Sequence, residues 1–263
     1  MSTAVIADSH LGGYLHLEGA EHNLRHFLEQ LEELPEKGVD RLILLGDIFQ
    51  VWVAQPKFET PEVRAVLPAL RRLREAGMRI DYVIGNRDHF LLESPYVTVF
   101  SSVGYDTEVE IDGRRYLLTH GHRMKEGGPG FGERLLAGPI VRFILWFIST
   151  FLPFTANWAT GRADWLLQVF KKRGDIPFHW IQEFAQRKIQ QGYDGVIVGH
   201  FHKGLECRNL ESLGTLREPS EIGPEDQPAD WSSAKEPKKL PLEGIQALVL
   251  EAWFLSRKVR ILR

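Results

Sequence analysis

A series of short apolar runs, each followed by polar or charged residues, constrains the fold of this chain more than any other feature. Four such runs stand out: Ala4–Ala7, Arg41–Leu45, Ile80–Ile84 and Gly195–Val198. Runs this short and this apolar predict buried β-strands. Apolar residues at helical spacing in 24–34 and 61–77 predict amphipathic helices between the first three strands. Strands that alternate with helices predict an α/β fold with parallel crossovers.

A hairpin and two closing strands complete the predicted sheets. Thr107–Ile111 and Arg115–Leu118 flank Asp112-Gly113, a strong signal for a two-residue hairpin turn. Near the carboxyl terminus, Gly244–Glu251 and Val259–Leu262 have the apolar character of strands. We therefore expect the end of the chain to return to the sheets that its first half begins.

Two segments interrupt this alternation. Residues 123–193 separate two motif-bearing strands and have the pattern of an inserted helical unit, whereas 208–240 is rich in Pro, Gly and charge and predicts a long surface loop. We predict a catalytic core formed by 1–122 and 194–263, with the loop inside it and the helical unit as a lid.

Polar residues follow five of the predicted strands: Asp8-Ser9-His10, Gly46-Asp47, Gly85-Asn86, His120 and His200-Phe201-His202. In parallel sheets, ligands bind at the carboxyl ends of the strands. The clusters contain carboxylate, amide and imidazole donors and no thiolate, a set that suits two divalent ions such as Mn²⁺, Fe²⁺ or Zn²⁺. Each cluster alone is common in turns and caps. Five in fixed order, each at a strand end, predict a metal site.

As a set, these motifs resemble the signature of the calcineurin-like metallophosphoesterases. The resemblance covers residues 1–122 and 194–206. It implies a four-layer αββα sandwich of two mixed β-sheets. It also implies two ions, Mn²⁺ first among the candidates, bridged by Asp47. The implied ligands are Asp8, His10, Asp47 and His202 for one ion, and Asp47, Asn86, His120 and His200 for the other.

Within that superfamily, the motifs around Asp8, Asp47 and Asn86 most resemble the UDP-2,3-diacylglucosamine hydrolases of lipid A synthesis. This implies cleavage of a pyrophosphate to UMP and an acylated sugar phosphate, with Asp47, Asn86, Arg87 and His120 as catalytic residues. Many superfamily members carry His where Arg87 stands. Arginine does not release a proton at neutral pH, so it suits a phosphate leaving group that departs as a stable anion. Asp88 is expected to orient Arg87.

Two positions depart from the pattern of these hydrolases. Gln50 and His122 stand where the hydrolases usually carry acids. The sequence His120-Gly121-His122 is similar to small phosphodiesterases, and it makes His122 a candidate substrate contact. The alternative function is therefore a soluble phosphodiesterase or phosphomonoesterase acting on nucleotides or other phosphate esters. A non-catalytic scaffold is disfavoured, because every implied ligand is present.

The inserted unit is basic and aromatic. Residues 123–190 contain 10 basic and five acidic side chains, and 12 of the 22 Phe and Trp residues of the chain. This composition predicts an interfacial or lid helix, with packing on the core as the alternative. An uncharged stretch of 19 residues at 143–161 is broken by Pro153 and Asn157, which argues against a transmembrane span. Candidate contacts to the substrate headgroup are Arg162, Lys171, Lys172 and Arg173.

Composition and charge bear on compartment and partners. A single cysteine allows no internal disulfide, and the amino terminus has no signal-peptide pattern, so we expect a reducing compartment. A net charge of −3 does not favour nucleic acid. We expect a cytoplasmic protein, peripheral on the cytoplasmic face of the inner membrane, whose partner is an acylated UDP-sugar. Nothing in the sequence indicates an oligomeric state.

Overall fold

The fold consists of β-strands that alternate with helices in the first half and join a hairpin and short strands in the second. The computed structural model describes residues 2–12, 20–111, 113–124, 138–151, 178–200, 205–207, 247–249 and 260–262. The helices are α1 (Ala20–Glu33), α2 (Pro61–Glu75), α3 (Pro139–Phe151) and α4 (Phe178–Gln190). The strands are β1 (Thr3–Ile6), β2 (Arg41–Leu44), β3 (Trp52–Val53), β4 (Arg79–Val83), β5 (Asp88–His89), β6 (Ser102–Gly104), β7 (Asp106–Ile111), β8 (Arg114–Thr119), β9 (Gly195–Val198), β10 (Leu205–Cys207), β11 (Ala247–Val249) and β12 (Arg260–Leu262).

Two five-stranded mixed sheets form the centre of the fold. The first has the order β12-β1-β2-β4-β6, in which β12 alone is antiparallel to its neighbour. The second has the order β10-β11-β9-β8-β7, parallel in its middle and antiparallel at both edges. The predicted hairpin is β7–β8, and the predicted closing strands are β11 and β12. The strands β3, β5, β6 and β10 were not predicted.

Alternating side chains on the strands separate the apolar interior into layers. Ala4 of β1 faces a large core shared with α1 and α2, which includes Leu31 and Val66. Val5, its neighbour, packs into a second core with Leu118 of the other sheet. Successive strand residues point to opposite faces, so each sheet has one face toward the other sheet and one toward helices.

The fourth layer is α4. Its residues Ile181 and Ala185 pack against Val196 and Val198 of β9. The predicted αββα sandwich is therefore confirmed. Because α4 lies within 123–193 and also packs on the second sheet, that range contains a layer of the sandwich; the predicted domain boundaries and the lid stay predictions. The predicted loop at 208–240 lies outside the described residues.

Helix α3 touches the body of the protein on one side and leaves the other open. Ile148 packs against an apolar cluster of Val51, Val53, Phe58 and Phe90. The outward side bears six large apolar side chains, which are 43–70% exposed: Ile140, Phe143, Ile144, Trp146, Phe147 and Phe151. Among the described helices, none is long and apolar enough to cross a membrane.

A buried ion pair ties the two sheets together at the edge opposite the predicted site. Arg41 Nε, at the start of β2, donates to Asp81 Oδ2 of β4 at 2.6 Å. The same guanidinium donates through Nη1 to the Glu108 carbonyl of β7 in the second sheet, at 2.8 Å. Both side chains are buried. This arrangement satisfies charges that would otherwise be costly to remove from water.

Candidate metal centre

The polar clusters that follow the strands converge at one edge of the two sheets. Asp8 follows β1, Asp47 follows β2 and His120 follows β8; they are 2%, 1% and 0% exposed. His120 Nε2 lies 3.5 Å from Asp47 Oδ2 and 4.0 Å from Asp8 Oδ1. Residues far apart in sequence thus place two carboxylates and an imidazole in one buried cluster, as the strand-end argument predicts.

Backbone conformation brings these side chains inward. Asp8, His10, Asp47 and His200 all have left-handed φ values, between 45° and 73°. This region is unusual for residues with a Cβ and is concentrated at functional sites. Backbone hydrogen bonds hold the turns: Asp8 N donates to the Gly46 carbonyl and His10 N to the Asp47 carbonyl, both at 3.0 Å.

Glycines let the motif loops approach more closely than any side chain would allow. A Cβ at Gly85 would lie 2.2 Å from Asp47 Oδ1, and one at Gly199 would lie 2.8 Å from Asp8 Oδ2. At Gly46, where φ is +80°, a Cβ would lie 2.7 Å from His120 Nδ1. The glycines of three motifs therefore leave room for the side chains of the predicted ligands.

Two groups of donors share Asp47. Asp8, His10 and Asp47 form one, and Asp47, His120 and His200 form the other; in each group the ligand atoms lie within 4.8 Å of one another. Carboxylate oxygens and imidazole nitrogens suit divalent first-row metals, so the donor set fits the ions that the motifs predict. His202, the remaining predicted histidine ligand, lies outside the described residues.

Hydrogen bonds orient the ligands of the second group. His120 Nδ1 donates to the Leu45 carbonyl at 2.9 Å, which turns Nε2 toward the centre. Asn86 Oδ1 lies 3.1 Å from that Nε2, so Asn86 lies beside the second group, and its role as a ligand stays a prediction. His200 N donates to Asp8 Oδ2 at 2.9 Å and links the two groups. Such outer contacts fix the ring orientation that a metal ligand needs. Leu45 carries no side-chain signal that sequence could reveal.

The carboxylates and imidazoles change one another's pKa values. Burial raises the pKa of Asp47, but His120 and His10 outweigh it and lower this pKa below its ordinary value. Burial lowers the pKa of His120, yet the charges of Asp47 and Asp8 raise it to about 10. The centre therefore attracts positive charge. A divalent ion bound there would displace the His120 proton, because a histidine ligand must be neutral.

Arg87 is held beside the shared carboxylate. Its backbone N–H donates to Asp47 Oδ1 at 2.8 Å, and its Nε lies 3.6 Å from Asp47 Oδ2. Its Nη1 donates to the Gln50 carbonyl at 2.8 Å. Gln50, one of the two departures from the hydrolase pattern, thus contributes through its backbone, a role that does not depend on an acidic side chain.

Asp88 fastens two motif loops together, a role that the sequence did not suggest. Its Oδ2 accepts the N–H of Asp47 at 3.1 Å and that of Gly85 at 2.7 Å. Burial and the Asp47 charge raise the pKa of Asp88 to about 7. The predicted orientation of Arg87 by Asp88 stays a prediction.

His122, like Arg87, is a predicted substrate contact that lies beside the centre. Its ring centroid is 5.4 Å from that of His120. Burial and the charges of His120 and His200 lower the pKa of His122 to about 3, so its imidazole is neutral at pH 7. Arg162, Lys171, Lys172 and Arg173 lie outside the described residues.

Fold and site together define a phosphoesterase built on paired mixed sheets with a metal centre at their carboxyl edge. Residues 1–134 match the calcineurin-like phosphoesterase superfamily domain, about half of the chain, and the protein belongs to this superfamily. It is a metal-dependent hydrolase.

Several of the similar proteins bear the name of one enzyme of this superfamily. A UDP-2,3-diacylglucosamine hydrolase of Pseudomonas fluorescens is 29% identical over 196 residues, covering 72% of this chain and 76% of the relative. Another protein of that name, from Pseudomonas savastanoi, is 31% identical over 199 residues, covering 72% and 77%. Among solved structures, a dimetal phosphatase from Danio rerio covers 95% of this chain and 87% of its own, with a TM-score of 0.42 and 14% identity.

Proposed function

We propose that the protein hydrolyses the pyrophosphate of UDP-2,3-diacylglucosamine, giving UMP and 2,3-diacylglucosamine 1-phosphate. Relatives that bear this enzyme's name match 72% of the chain at 29% and 31% identity. The observation that carries the proposal within the site is Arg87, fixed at 3.6 Å from Asp47. We propose that its guanidinium contacts a substrate phosphate bound at the metal centre.

We propose that the centre holds two divalent ions, with Mn²⁺ the first candidate and Fe²⁺ or Zn²⁺ the alternatives. Asp8, His10, Asp47 and His202 would hold one ion; Asp47, Asn86, His120 and His200 would hold the other. Such ions would supply charge neutralisation at phosphoryl oxygens and an activated water. The support is geometric: the two donor groups share Asp47, as a bridging ligand requires.

Arg87 suits a pyrophosphate better than an alkyl ester. Its guanidinium offers a rigid fork of N–H donors that matches phosphate oxygens, and its proton stays in place at neutral pH. The leaving phosphate of a pyrophosphate departs as an anion and needs no proton. Arg87 therefore stabilises the negative charge that develops on the phosphates. The reaction needs no general acid at this position.

The first test compares two substrates in the wild-type protein and then the effect of substitutions at Arg87. Wild-type protein loaded with Mn²⁺ should hydrolyse UDP-2,3-diacylglucosamine with a higher kcat/KM than bis(p-nitrophenyl) phosphate. Arg87→Ala should lower kcat/KM for the UDP-lipid by about 10- to 100-fold, the effect of losing a charge-assisted hydrogen bond, with metal content intact. Arg87→Lys keeps the charge but loses the forked pair of N–H donors. Its kcat/KM should lie between those of wild type and Arg87→Ala. A wild-type protein that leaves the UDP-lipid uncleaved would refute the proposal.

The second candidate function is a soluble phosphodiesterase or phosphomonoesterase acting on nucleotides or other phosphate esters. The observation that favours it is His122, a neutral imidazole 5.4 Å from the His120 ring, at a position where the UDP-lipid hydrolases usually carry an acid. Cyclic nucleotides and p-nitrophenyl phosphate assayed beside the UDP-lipid separate the two. Faster turnover of the nucleotides would favour this second function.

We also propose that the protein works at the cytoplasmic face of the inner membrane, through the outward side of α3. The six apolar side chains there follow one another at helical spacing, and Phe143, Phe147 and Phe151 contact in series, with ring centroids 5.0–6.4 Å apart. An exposed aromatic helix face suits the boundary between headgroups and acyl chains. It would bring the centre to a substrate whose acyl chains remain in lipid.

Vesicle flotation tests this surface. Replacing Phe143 and Phe147 together by Asp should abolish flotation with anionic phospholipid vesicles, because charge at these positions opposes insertion. Leu92→Asp is the matched control: Leu92 is 49% exposed, similar to the α3 residues, but belongs to the short 3₁₀ helix Leu91–Glu93. Equal flotation of the double variant and wild type would refute the membrane role. It would not bear on the proposed reaction, which the substrate assay tests separately.

A further inference from the structure

A stacked pair of side chains, Tyr105 and Arg123, borders the metal centre and belongs to none of the predicted site residues. The Arg123 guanidinium carbon lies 3.4 Å from the centroid of the Tyr105 ring, so the cation rests directly on the aromatic face. Tyr105 is 36% exposed, and Arg123 is half-buried. A cation held in this way beside a candidate metal centre is a candidate contact for an anionic substrate.

Topology places the pair at the same edge as the metal centre. Tyr105 directly follows β6, the edge strand of the first sheet, and Arg123 comes three residues after His120. Thr119, the last residue of β8, donates through Oγ1 to the Tyr105 carbonyl at 3.2 Å, which ties the two strand ends together.

A row of rings connects the centre to the pair. The ring centroid of His122 lies 5.4 Å from that of His120 and 6.4 Å from that of Tyr105. Tyr105 follows β6, the edge strand beside β4, and Arg123 follows β8, the strand that precedes His120, so the pair flanks the His120 half of the centre. Asp8 and His10 follow β1, on the other side of β2. Arg87 lies between β4 and β5, and its side chain donates to the Gln50 carbonyl, so the two arginines come from different elements.

Stacking on Tyr105 prepares Arg123 for one kind of ligand. The aromatic face orients the planar guanidinium, whose N–H donors lie along its edge and match oxygen acceptors. An arginine already oriented loses less conformational freedom when it binds, and its fork matches phosphate oxygens. A phosphate is the ligand class that fits, since the proposed reaction cleaves a pyrophosphate at the centre that contains His120, three residues earlier in the chain.

We propose that Arg123, positioned by Tyr105, binds the phosphate of the substrate that is not attacked. The metal centre and Arg87 would take one phosphoryl group, and Arg123 would take its neighbour across the bridging oxygen. The pair would thus select a diphosphate over an ester with a single phosphate. This inference rests on the proposed function, because it assigns the second phosphate of a pyrophosphate substrate.

A binding experiment tests the inference without turnover. Calorimetry on the Mn²⁺-loaded full chain gives Kd for methylenediphosphonate, which carries two phosphoryl groups, and for methylphosphonate, which carries one. Arg123→Ala should reduce the preference for the diphosphonate by about 10- to 100-fold, as expected for one charge-assisted hydrogen bond. Arg72→Ala is the control, because Arg72 is an exposed arginine in the last turn of α2, at the opposite edge of the sheets. It should leave the preference unchanged.

Two variants of Tyr105 test its positioning role. Tyr105→Phe keeps the ring and should keep the preference, whereas Tyr105→Leu removes the aromatic face and should reduce the preference by about two- to fivefold. A merely structural role would lower both affinities together and leave their ratio unchanged. Circular dichroism and thermal unfolding identify any variant that fails to fold.

The outcomes separate this inference from the proposed function. An unchanged Kd ratio in Arg123→Ala, or a wild-type protein without preference for the diphosphonate, overturns the inference whatever the enzyme hydrolyses. The substrate assay supplies the second comparison: the ratio of kcat/KM for the UDP-lipid to that for bis(p-nitrophenyl) phosphate should fall in Arg123→Ala. Wild type that binds the diphosphonate through Arg123 but leaves the UDP-lipid intact would refute the proposed function alone.

Discussion

Substituting one glycine should disable the metal centre without touching any ligand. Gly85 lies between β4 and Asn86, with Asp47 packed directly against it. A Cβ added at this position would lie 2.2 Å from Asp47 Oδ1 and 2.6 Å from its backbone nitrogen, where ordinary contact begins near 3.4 Å. Both atoms belong to a buried residue held by hydrogen bonds, so Gly85→Ala must displace the shared carboxylate.

The size of the effect follows from that overlap. To relieve the overlap with the new methyl group, Asp47 must move by about 1 Å. A misplacement of about 1 Å at a reacting group lowers rates about 100-fold. Overpacking a close-packed interior lowers the free energy of unfolding by about 1–3 kcal/mol. We therefore expect kcat/KM for bis(p-nitrophenyl) phosphate to fall about 100-fold in a protein that still folds. Metal content should fall with it, because Asp47 belongs to both donor groups.

Gly77→Ala separates the site effect from a loss of stability. Gly77 follows α2 and has φ +98°, and a methyl group added there would meet nothing within 4 Å, so Ala strains only the backbone. We expect it to lower the free energy of unfolding by about 1–2 kcal/mol with no change in kcat/KM or metal content. Elemental analysis, steady-state kinetics and urea unfolding measure the three quantities. Full activity and metal content in Gly85→Ala would refute the close-approach argument.

Three substitutions and one chelation experiment test the site and the sheets. Asp47→Asn removes the carboxylate common to both donor groups and should reduce phosphodiester turnover to background; a fully active variant would refute the two-ion assignment. Asp81→Asn leaves Arg41 buried without its charge partner and should lower the free energy of unfolding, measured in urea, by about 3–5 kcal/mol. Arg79 is the exposed ion-pair partner of Asp81. Arg79→Ala should lower the free energy of unfolding by less than about 1 kcal/mol. Chelation with EDTA should abolish activity and lower the thermal midpoint, because ligand binding stabilises the native state; an unchanged midpoint would contradict this.

Much of the site could be predicted because its residues follow strands that hydrophobicity alone reveals. Buried strands such as β2 and β9 are continuous apolar runs, and their parallel arrangement fixes which ends meet. Asp47 and His200 were therefore predicted as neighbours although 153 positions separate their numbers. The glycine before each of them is part of the same signal, since it provides the space that the structure shows.

What could not be predicted depends on contacts between distant segments. Strands β3 and β5 contain two residues each, too few for any periodicity, and they exist because the two motif loops pair with each other. The hydrogen bonds accepted by Asp88 Oδ2 and by the Leu45 carbonyl form only once those loops are in place. The Arg41–Asp81 pair joins residues 40 positions apart, and although both lie in runs predicted to be buried, nothing local indicates that they pair with each other.

Backbone strain links the stability of this fold to its chemistry. Among the described residues, five other than glycine have left-handed φ, and four of them are predicted metal ligands. Each such residue costs on the order of 1–2 kcal/mol, so together they oppose folding substantially. Buried hydrogen bonds such as that from His10 N to the Asp47 carbonyl offset this strain and fix the donors before any ion arrives. Ligands fixed in advance lose little freedom on binding, which favours a rigid centre over one assembled by its ions. His10→Gly would remove both the strain and a ligand, whereas His10→Ala would remove the same ligand and keep the strain. Both variants should lose activity, and His10→Gly should be the more stable of the two in urea unfolding by about 1–2 kcal/mol. Equal stability of the two variants would contradict the strain argument.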